Sequence, residues 1–193
     1  VQVVGSQRDR LFVPIEGGHI GSSSKISSDD LGLLHSKTDD VQAYWFTLEA
    51  TDRPPVAPPS KDDFRVPSTL QAQLQNIAET LTTSTASDLK KLTELVAHFQ
   101  TNFEYSLSYE RPSGEDPVLH FLEKGREGHC EYFASSMALL GRSLGIATRV
   151  VGGFLVTERN EVTGKMIVRE KNAHAWVEAW IDGSWQTVDP TPY

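Results

Sequence analysis

The chain has 193 residues and is acidic, with 18 lysines and arginines, 26 aspartates and glutamates, and a net charge of −8. Because the basic residues are scattered rather than clustered, this charge argues against a protein that binds nucleic acid or an anionic membrane surface. No apolar run reaches the roughly 18 residues that span a bilayer, and the single cysteine excludes an internal disulfide.

The first 62 residues are predicted to form a small β-rich extension followed by a proline-rich connector. Three short β-forming runs lie at residues 1–4, 11–15 and 41–48. A Gly/Ser/Asp-rich segment at residues 19–30 is typical of a loop. Residues 51–61 contain four prolines and indicate a stiff connector. We therefore expect two domains, 1–62 and 63–193.

Three helices are expected next. Ser68, with Gln71 three residues later, has the spacing of a capping box for the first helix, and Ser87 or Thr85 would cap the second. The pair Asp116-Pro117 predicts the start of a short third helix. Apolar residues at helical spacing are assigned to the core: Leu70, Leu74, Ile77 and Leu81, then Leu89, Leu92, Val96, Phe99 and Phe103.

Cys130 lies at the predicted start of a fourth helix, over about residues 130–144. A Gly-rich turn precedes it, and Gly145 is suited to cap its C-terminus. The unpaired N–H groups and the dipole at a helix start favour an anion, so they would stabilise a thiolate and the oxyanion of a tetrahedral intermediate. A lone cysteine is more often a buried structural residue, so this position alone does not establish catalysis.

A β-hairpin is predicted near the C-terminus. Further strands are expected near residues 148–156 and 165–169. The strand 174–181 is followed by Asp182-Gly183, a preferred two-residue turn, and by the strand 184–189. In this register Trp180 faces Trp185, and His174 and Asp189 share a face as diagonal neighbours within side-chain reach. A slip of one residue would place them on opposite faces.

The order Cys130, His174, Asp189 suggests a triad of nucleophile, base and acid. Taken singly, each residue has an ordinary explanation, because strand histidines are usually structural and an aspartate before proline usually belongs to a turn. Together they favour the catalytic interpretation. Helices first and antiparallel strands last predict an α+β fold in which the Cys130 helix packs on the sheet.

The residues around these positions resemble the transglutaminase-like superfamily of papain-type cysteine enzymes, and especially the periplasmic domain of bacterial TgpA-type membrane proteins. The resemblance covers residues 89–192 well and the first 60 loosely, and Ala147 stands where a proline is usual. The matching segments are 121–122, 128–134, 145–154, 173–178 and 188–192.

This resemblance implies a papain/transglutaminase-like core with a Cys130 nucleophile, a His174 base and an orienting Asp189, and no cofactor. It implies acyl transfer from a glutamine side chain or a peptide carbonyl. An amine acceptor would make the protein a protein-glutamine gamma-glutamyltransferase, whereas water would make it a protease or amidase. The residues themselves do not choose between these acceptors. A binding module without catalysis is the remaining alternative.

Four further residues are candidates for contacts with substrate: Trp176, His129, Tyr132 and Asn172. His129 is also a rival base, but a side chain next to Cys130 in the chain points elsewhere.

The remaining residues of the predicted hairpin have ordinary explanations. Core packing is the default interpretation for Trp176, Trp180 and Trp185. For Glu178, a solvated strand position and a role in the site are equally open. No spacing of metal ligands is present, so we predict no metal.

The resemblance also predicts the cellular context. We expect the chain to be the periplasmic part of an inner-membrane protein whose anchor lies outside residues 1–193. We expect the isolated chain to be a monomer that acts on a protein or peptide and binds no nucleic acid.

Overall fold

The computed structural model describes residues 2–4, 10–11, 20–22, 26–28, 34–36, 43–46, 57–109, 113–164 and 166–192. The chain divides into two compact units, Val1–Ala57 with Arg159–Lys165 and Pro58–Glu158 with Met166–Tyr193. The runs predicted at 11–15 and 41–48, the loop at 19–30 and the connector at 51–61 lie partly outside the described residues. Within 19–30 the described residues, 20–22 and 26–28, form strands because they pair with other strands of this unit, so the loop prediction is wrong there. The domain boundary between residues 62 and 63 stays a prediction.

The first unit contains short strands, as expected for a β-rich extension. They form two three-stranded antiparallel sheets, with strand orders β1-β6-β3 and β2-β5-β4. The strands are Gln2–Val4 (β1), Arg10–Leu11 (β2), Ile20–Ser22 (β3), Ile26–Ser28 (β4), Leu34–Ser36 (β5) and Ala43–Phe46 (β6).

The second unit begins with helices and ends with its main sheet, which confirms the α+β class. Its helices are Gln71–Leu81 (α1), Asp88–Asn102 (α2), Pro117–His120 (α3) and Cys130–Ser143 (α4). The strands that follow β6 in the chain are Glu104–Tyr105 (β7), Glu127–Gly128 (β8), Thr148–Phe154 (β9), Glu158–Arg159 (β10), Met166–Ile167 (β11), Ala173–Ile181 (β12) and Ser184–Val188 (β13). The main sheet has the antiparallel order β13-β12-β9, and α4 packs on β12 and β9.

The start of α1 differs from the prediction. The N–H of Leu70 donates to the carbonyl of Pro67 at 2.9 Å, so residues 68–70 form a turn and α1 begins only at Gln71. Leu70 is then the N-cap residue, without a side-chain hydrogen bond. The predicted capping box of Ser68 with Gln71 is therefore wrong.

The N-terminus of α2 has one of the two predicted caps. Its buried face differs from the predicted apolar stripe at Leu89 and Leu95. The hydroxyl of Ser87 accepts a hydrogen bond from the Lys90 N–H at 3.4 Å. Leu89 is 49% exposed because the whole first turn of the helix, residues 88–90, faces solvent. Leu95, which the predicted stripe omitted, is fully buried.

Helix α4 has the predicted position and the predicted C-terminal cap. Gly145 has φ of +79°, its N–H donates to the Arg142 carbonyl, and the Ile146 N–H donates to the Gly141 carbonyl, each at 3.0 Å. This pair of bonds is a Schellman motif, which needs the left-handed conformation at Gly145. The cap leads the chain directly from α4 into β9.

The β12–β13 hairpin has the predicted register. Ile181 pairs with Ser184 and Trp180 with Trp185. Asp182 and Gly183 both have positive φ, 51° and 81°, as a type I′ turn requires. Side chains therefore alternate along β12 between a face toward α4 and the opposite face.

The tryptophans of the hairpin lie on the face opposite α4. The core side of β12 consists of Ala175, Val177, Ala179 and Ile181, all buried. Trp176 and Trp180 are half-buried on the other side with His174, where Trp180 meets Trp185 edge-on at 5.5 Å. Core packing is therefore the wrong interpretation of these aromatic rings.

Replacing Gly145 by alanine tests the cap of α4. A β-carbon there meets no atom within 4 Å, so the cost comes only from the left-handed backbone. We expect the free energy of unfolding to fall by about 1 kcal/mol, measured by urea denaturation. Gly152 also has open space for a β-carbon but lacks a positive φ, so Gly152→Ala is the matched control. An equal change in both variants would contradict the assignment.

Candidate active site

Cys130 is the first residue of α4, and its thiol is free and half-buried. The N-cap residue, His129, has an extended backbone and makes no side-chain cap hydrogen bond. The Tyr132 N–H donates to the His129 carbonyl at 3.0 Å, so the N–H groups of Cys130 and Glu131 are the ones that can point toward an anion bound at the helix end. This is the predicted setting for a nucleophilic thiolate.

The backbone just before Cys130 is fixed by a short parallel ladder between β7 and β8. The Ser106 N–H donates to the carbonyl of Gly128 at 2.9 Å, and the Glu104 N–H donates to that of Arg126, also at 2.9 Å. Gly128 packs closely against Tyr132, because a β-carbon added there would lie 3.0 Å from the ring, a contact that the ring could relieve only by shifting. The helix start is thus held by strand pairing on one side and by an aromatic ring on the other.

His174 and Asp189 are hydrogen-bonded, as the hairpin register predicted. The distance from Nε2 of His174 to Oδ2 of Asp189 is 2.7 Å, and the two side chains are 10% and 21% exposed. The second carboxylate oxygen, Oδ1, accepts the Thr191 N–H at 3.1 Å. Asp189 is therefore held at both oxygens, which fixes the direction from which it meets the imidazole.

This contact selects the tautomer of His174. A carboxylate accepts hydrogen bonds and does not donate them, so the proton of the neutral imidazole lies on Nε2 and the lone pair on Nδ1. Nδ1 is then the nitrogen that can take a proton from an acid, and Asp189 stabilises the imidazolium that results. The pair has the chemistry of a general base with its orienting group.

The other residues on the same face of β12 have identifiable partners. The rings of His174 and Trp176 stack, with centroids 6.1 Å apart and planes at 24°. Glu178 accepts two hydrogen bonds from Arg149, at 2.6 and 2.8 Å, and Arg149 lies 4.2 Å from the centre of the Trp185 ring. The Arg149 ion pair accounts for Glu178.

His129 and Tyr132 lie together at the start of α4, with ring centroids 5.0 Å apart. Both line a cavity of about 210 Å³ between α3 and α4. Asn172 lies elsewhere, in the turn before β12, where its side-chain oxygen accepts the Arg169 N–H at 3.1 Å. Substrate contacts for these three residues stay predictions.

Tyr105 is a neighbour of the thiol that the sequence analysis missed. It pairs with Gly128, two residues before Cys130, and its side chain is 42% exposed. Burial raises the pKa of the Tyr105 hydroxyl, and the negative charge of a Cys130 thiolate raises it further. No signal in the sequence predicted this neighbour, because two-residue parallel strands have no recognisable pattern.

A metal cluster and a membrane-spanning helix are both absent from the part of the chain that the structure describes. That part contains no group of three or more His, Cys, Asp or Glu side chains that could hold a metal ion. None of its helices is both long enough and apolar enough to cross a bilayer.

Comparison with known proteins gives matches in both sequence and structure. A family model described as the transglutaminase-like superfamily matches residues 75–190. Protein-glutamine gamma-glutamyltransferase from Pseudomonas aeruginosa is 40% identical over 90 residues, which make up 46% of this chain and 13% of that protein. Human protein-glutamine gamma-glutamyltransferase 5 is 32% identical over 90 residues, 35% of this chain and 12% of that one. The chain thus matches only a small part of each curated relative.

Among solved structures, the periplasmic domain of TgpA from Pseudomonas aeruginosa, bound to ethylmercury, is similar to this chain. The superposition has a TM-score of 0.81 and 25% sequence identity, and it covers 98% of this chain and 70% of the other.

Proposed function

This chain belongs to the transglutaminase-like superfamily, and we propose that it catalyses thiol-dependent acyl transfer through Cys130, His174 and Asp189. Cys130 is the nucleophile, His174 the general base, and Asp189 the carboxylate that orients and stabilises the imidazole. The observation that carries the proposal is the 2.7 Å hydrogen bond between Nε2 of His174 and Asp189. It leaves the Nδ1 lone pair to act on the thiol.

The chain topology supports a meeting of Cys130 with His174. The end of α4 is joined to the start of β9 through Gly145, and β9 is antiparallel to β12. Since α4 packs on both strands, we infer that its first residue lies toward the end of β9 and the beginning of β12. His174 is on the face of β12 away from α4, but it is the second residue of that strand and so lies at this end of the sheet. Fourteen helical residues span about 20 Å, close to the roughly 17 Å from Thr148 to Gly153, and Gly153 is the residue that pairs with His174.

The reaction proceeds in two transfers. Nδ1 of His174 takes the thiol proton, and the sulfur of Cys130 attacks the carbonyl carbon of a glutamine side-chain amide. The N–H groups at the start of α4 stabilise the resulting oxyanion. The imidazolium returns its proton to the leaving nitrogen, which departs as ammonia and leaves a thioester on Cys130. A primary amine, deprotonated by His174, then attacks the thioester, forms the new amide and frees the thiol.

The proposed acyl donor is a protein-bound glutamine, and the proposed acceptor is a primary amine such as a lysine side chain. The support is the family together with two relatives named protein-glutamine gamma-glutamyltransferases. Incubation with a glutamine-containing protein and a fluorescent primary amine tests this choice. Mass spectrometry separates amine incorporation, which supports a transferase, from conversion of glutamine to glutamate alone, which would indicate a hydrolase.

Removing the nucleophile should abolish amine incorporation without unfolding the chain. Cys130 is only half-buried, so Cys130→Ala leaves no large cavity, and its thermal unfolding midpoint should stay close to that of the wild type. We expect kcat to fall by at least about 10³-fold, as for other enzymes that lose their nucleophile. A folded Cys130→Ala variant with substantial activity would refute the proposed nucleophile.

The carboxylate of Asp189 is tested by the isosteric change Asp189→Asn. The amide cannot stabilise the imidazolium by charge, so we expect kcat to fall by about 10²-fold or more while KM changes little. Asp182→Asn is the matched control, because asparagine tolerates the positive φ of the hairpin turn. Similar kinetic losses in both variants would mean that the hairpin, rather than the charge at residue 189, is responsible.

We propose further that the chain lies in the periplasm, as part of a membrane-anchored protein, and that it is a monomer when isolated. The similarity to the periplasmic domain of TgpA supports this location. Protease added to intact spheroplasts of the source cell should cleave this region, and light scattering of the isolated chain should give the monomer mass. Cleavage only after lysis of the inner membrane would argue against the periplasmic location.

A further inference from the structure

The imidazole of His174 has different neighbours on its two sides. β12 is the central strand, with β13 on one side and β9 on the other. On the β13 side, Asp189 holds Nε2 of the imidazole. On the β9 side, the residue directly opposite His174 is Gly153, which has no side chain.

The indole of Trp176 occupies the space that a side chain at residue 153 would take. Trp176 pairs with Val151, so its ring reaches diagonally across β9. A β-carbon added to Gly153 would lie 2.7 Å from Cη2 and 3.1 Å from Cζ3 of this ring. Gly153 does not have a positive φ. The need for glycine at this position therefore comes from the indole and not from the backbone conformation.

The same indole also stacks beside the imidazole of His174. The rings of Trp176 and His174 are 6.1 Å apart and tilted by only 24°. Nε1 of Trp176 is buried and has no hydrogen-bond partner among the described residues. Packing between Gly153 and His174, rather than a polar contact, therefore fixes the place of this ring.

We propose that Trp176, lying over Gly153, is a positioning residue that holds His174 with Nε2 toward Asp189 and Nδ1 toward the thiol. The hydrogen bond to Asp189 holds one edge of the imidazole, and the indole opposes rotation of its plane. The inference rests on the proposed role of His174 as the base. It gives Trp176 a function in catalysis without contact with the reacting atoms, and it explains why residue 153 is glycine.

Four variants separate this role from a general effect on the sheet. Gly153→Ala places a methyl group against the indole and should displace it. Gly152→Ala is the matched control, since a β-carbon there meets nothing within 4 Å. Gly153→Ala combined with Trp176→Phe removes the far edge of the indole and relieves the clash, while a ring remains beside His174. Trp176→Leu removes the ring altogether.

The first readout is the tautomer of His174, which does not depend on any acyl-transfer assay. The chain has six histidines, so the signals of His174 in long-range ¹H–¹⁵N spectra are assigned by their loss in the His174→Gln variant. We expect a dominant Nε2–H form in the wild type and in Gly152→Ala. In Gly153→Ala we expect altered ¹⁵N shifts with a mixture of tautomers, and recovery in the double variant.

The second readout is the division between kcat and KM. Displacement of a catalytic group by about 1 Å costs up to about 10²-fold in rate, so Gly153→Ala should lower kcat by about 10- to 100-fold with little change in KM. The double variant should regain most of this loss. If the wild type itself incorporates no amine, the proposed function fails while the tautomer measurement still decides the positioning role.

The inference is overturned if His174 has the same signals in Gly153→Ala and Gly152→Ala, or if the double variant does not move them back toward the wild type. Circular dichroism checks that each variant is folded. If Gly153→Ala does not fold, Trp176→Leu takes its place: shifted His174 signals support the inference, and unchanged signals overturn it.

Discussion

The two-residue turn at Asp182 and Gly183 controls the geometry on which the proposed chemistry depends. Because both residues have positive φ, the strands leave the turn in a register that places His174 and Asp189 on one face, 2.7 Å apart at their nearest polar atoms. A slip of one residue would send one of them to the core side, where no water could solvate its charge. The meeting of the proposed base with its carboxylate therefore depends on the backbone conformation at the far end of the hairpin.

Strand β12 links the core to the site because its two faces have different neighbours. Its core face includes Ala175 and Ala179, whose small side chains allow α4 to pack closely. Its other face bears His174, bounded by Trp176 and by Asp189. The helix that begins with Cys130 thus packs on the strand that bears the proposed base. Regular elements hold functional groups more rigidly than loops do, so this arrangement suits a reaction that needs fixed geometry.

The α-helices of the second unit begin in two ways: α2 and α3 have a side-chain cap, whereas the N-cap residues of α1 and α4 make no side-chain cap hydrogen bond. Ser87 caps α2 and Asp116 caps α3 with side-chain hydrogen bonds. At α4 the N-cap residue, His129, makes no such bond. A side-chain cap typically contributes about 1 kcal/mol, so α4 forgoes this stabilisation. In the proposed mechanism, the N–H groups at this helix start bind the oxyanion that forms on the substrate; the Tyr132 N–H is the exception, because it donates to the His129 carbonyl at 3.0 Å.

The sequence by itself determined the features that depend on local patterns. These are the span of α4 with its cap at Gly145, the hairpin with its register, and hence the meeting of His174 with Asp189, because periodicity and turn chemistry specify φ, ψ and the face of each side chain. Only the tertiary structure decided that Tyr105 pairs beside the thiol and that the indole of Trp176 lies over Gly153. These contacts join residues that are far apart in the chain. A local pattern shows which way a side chain points, but only the packing of the whole fold decides which group it meets there.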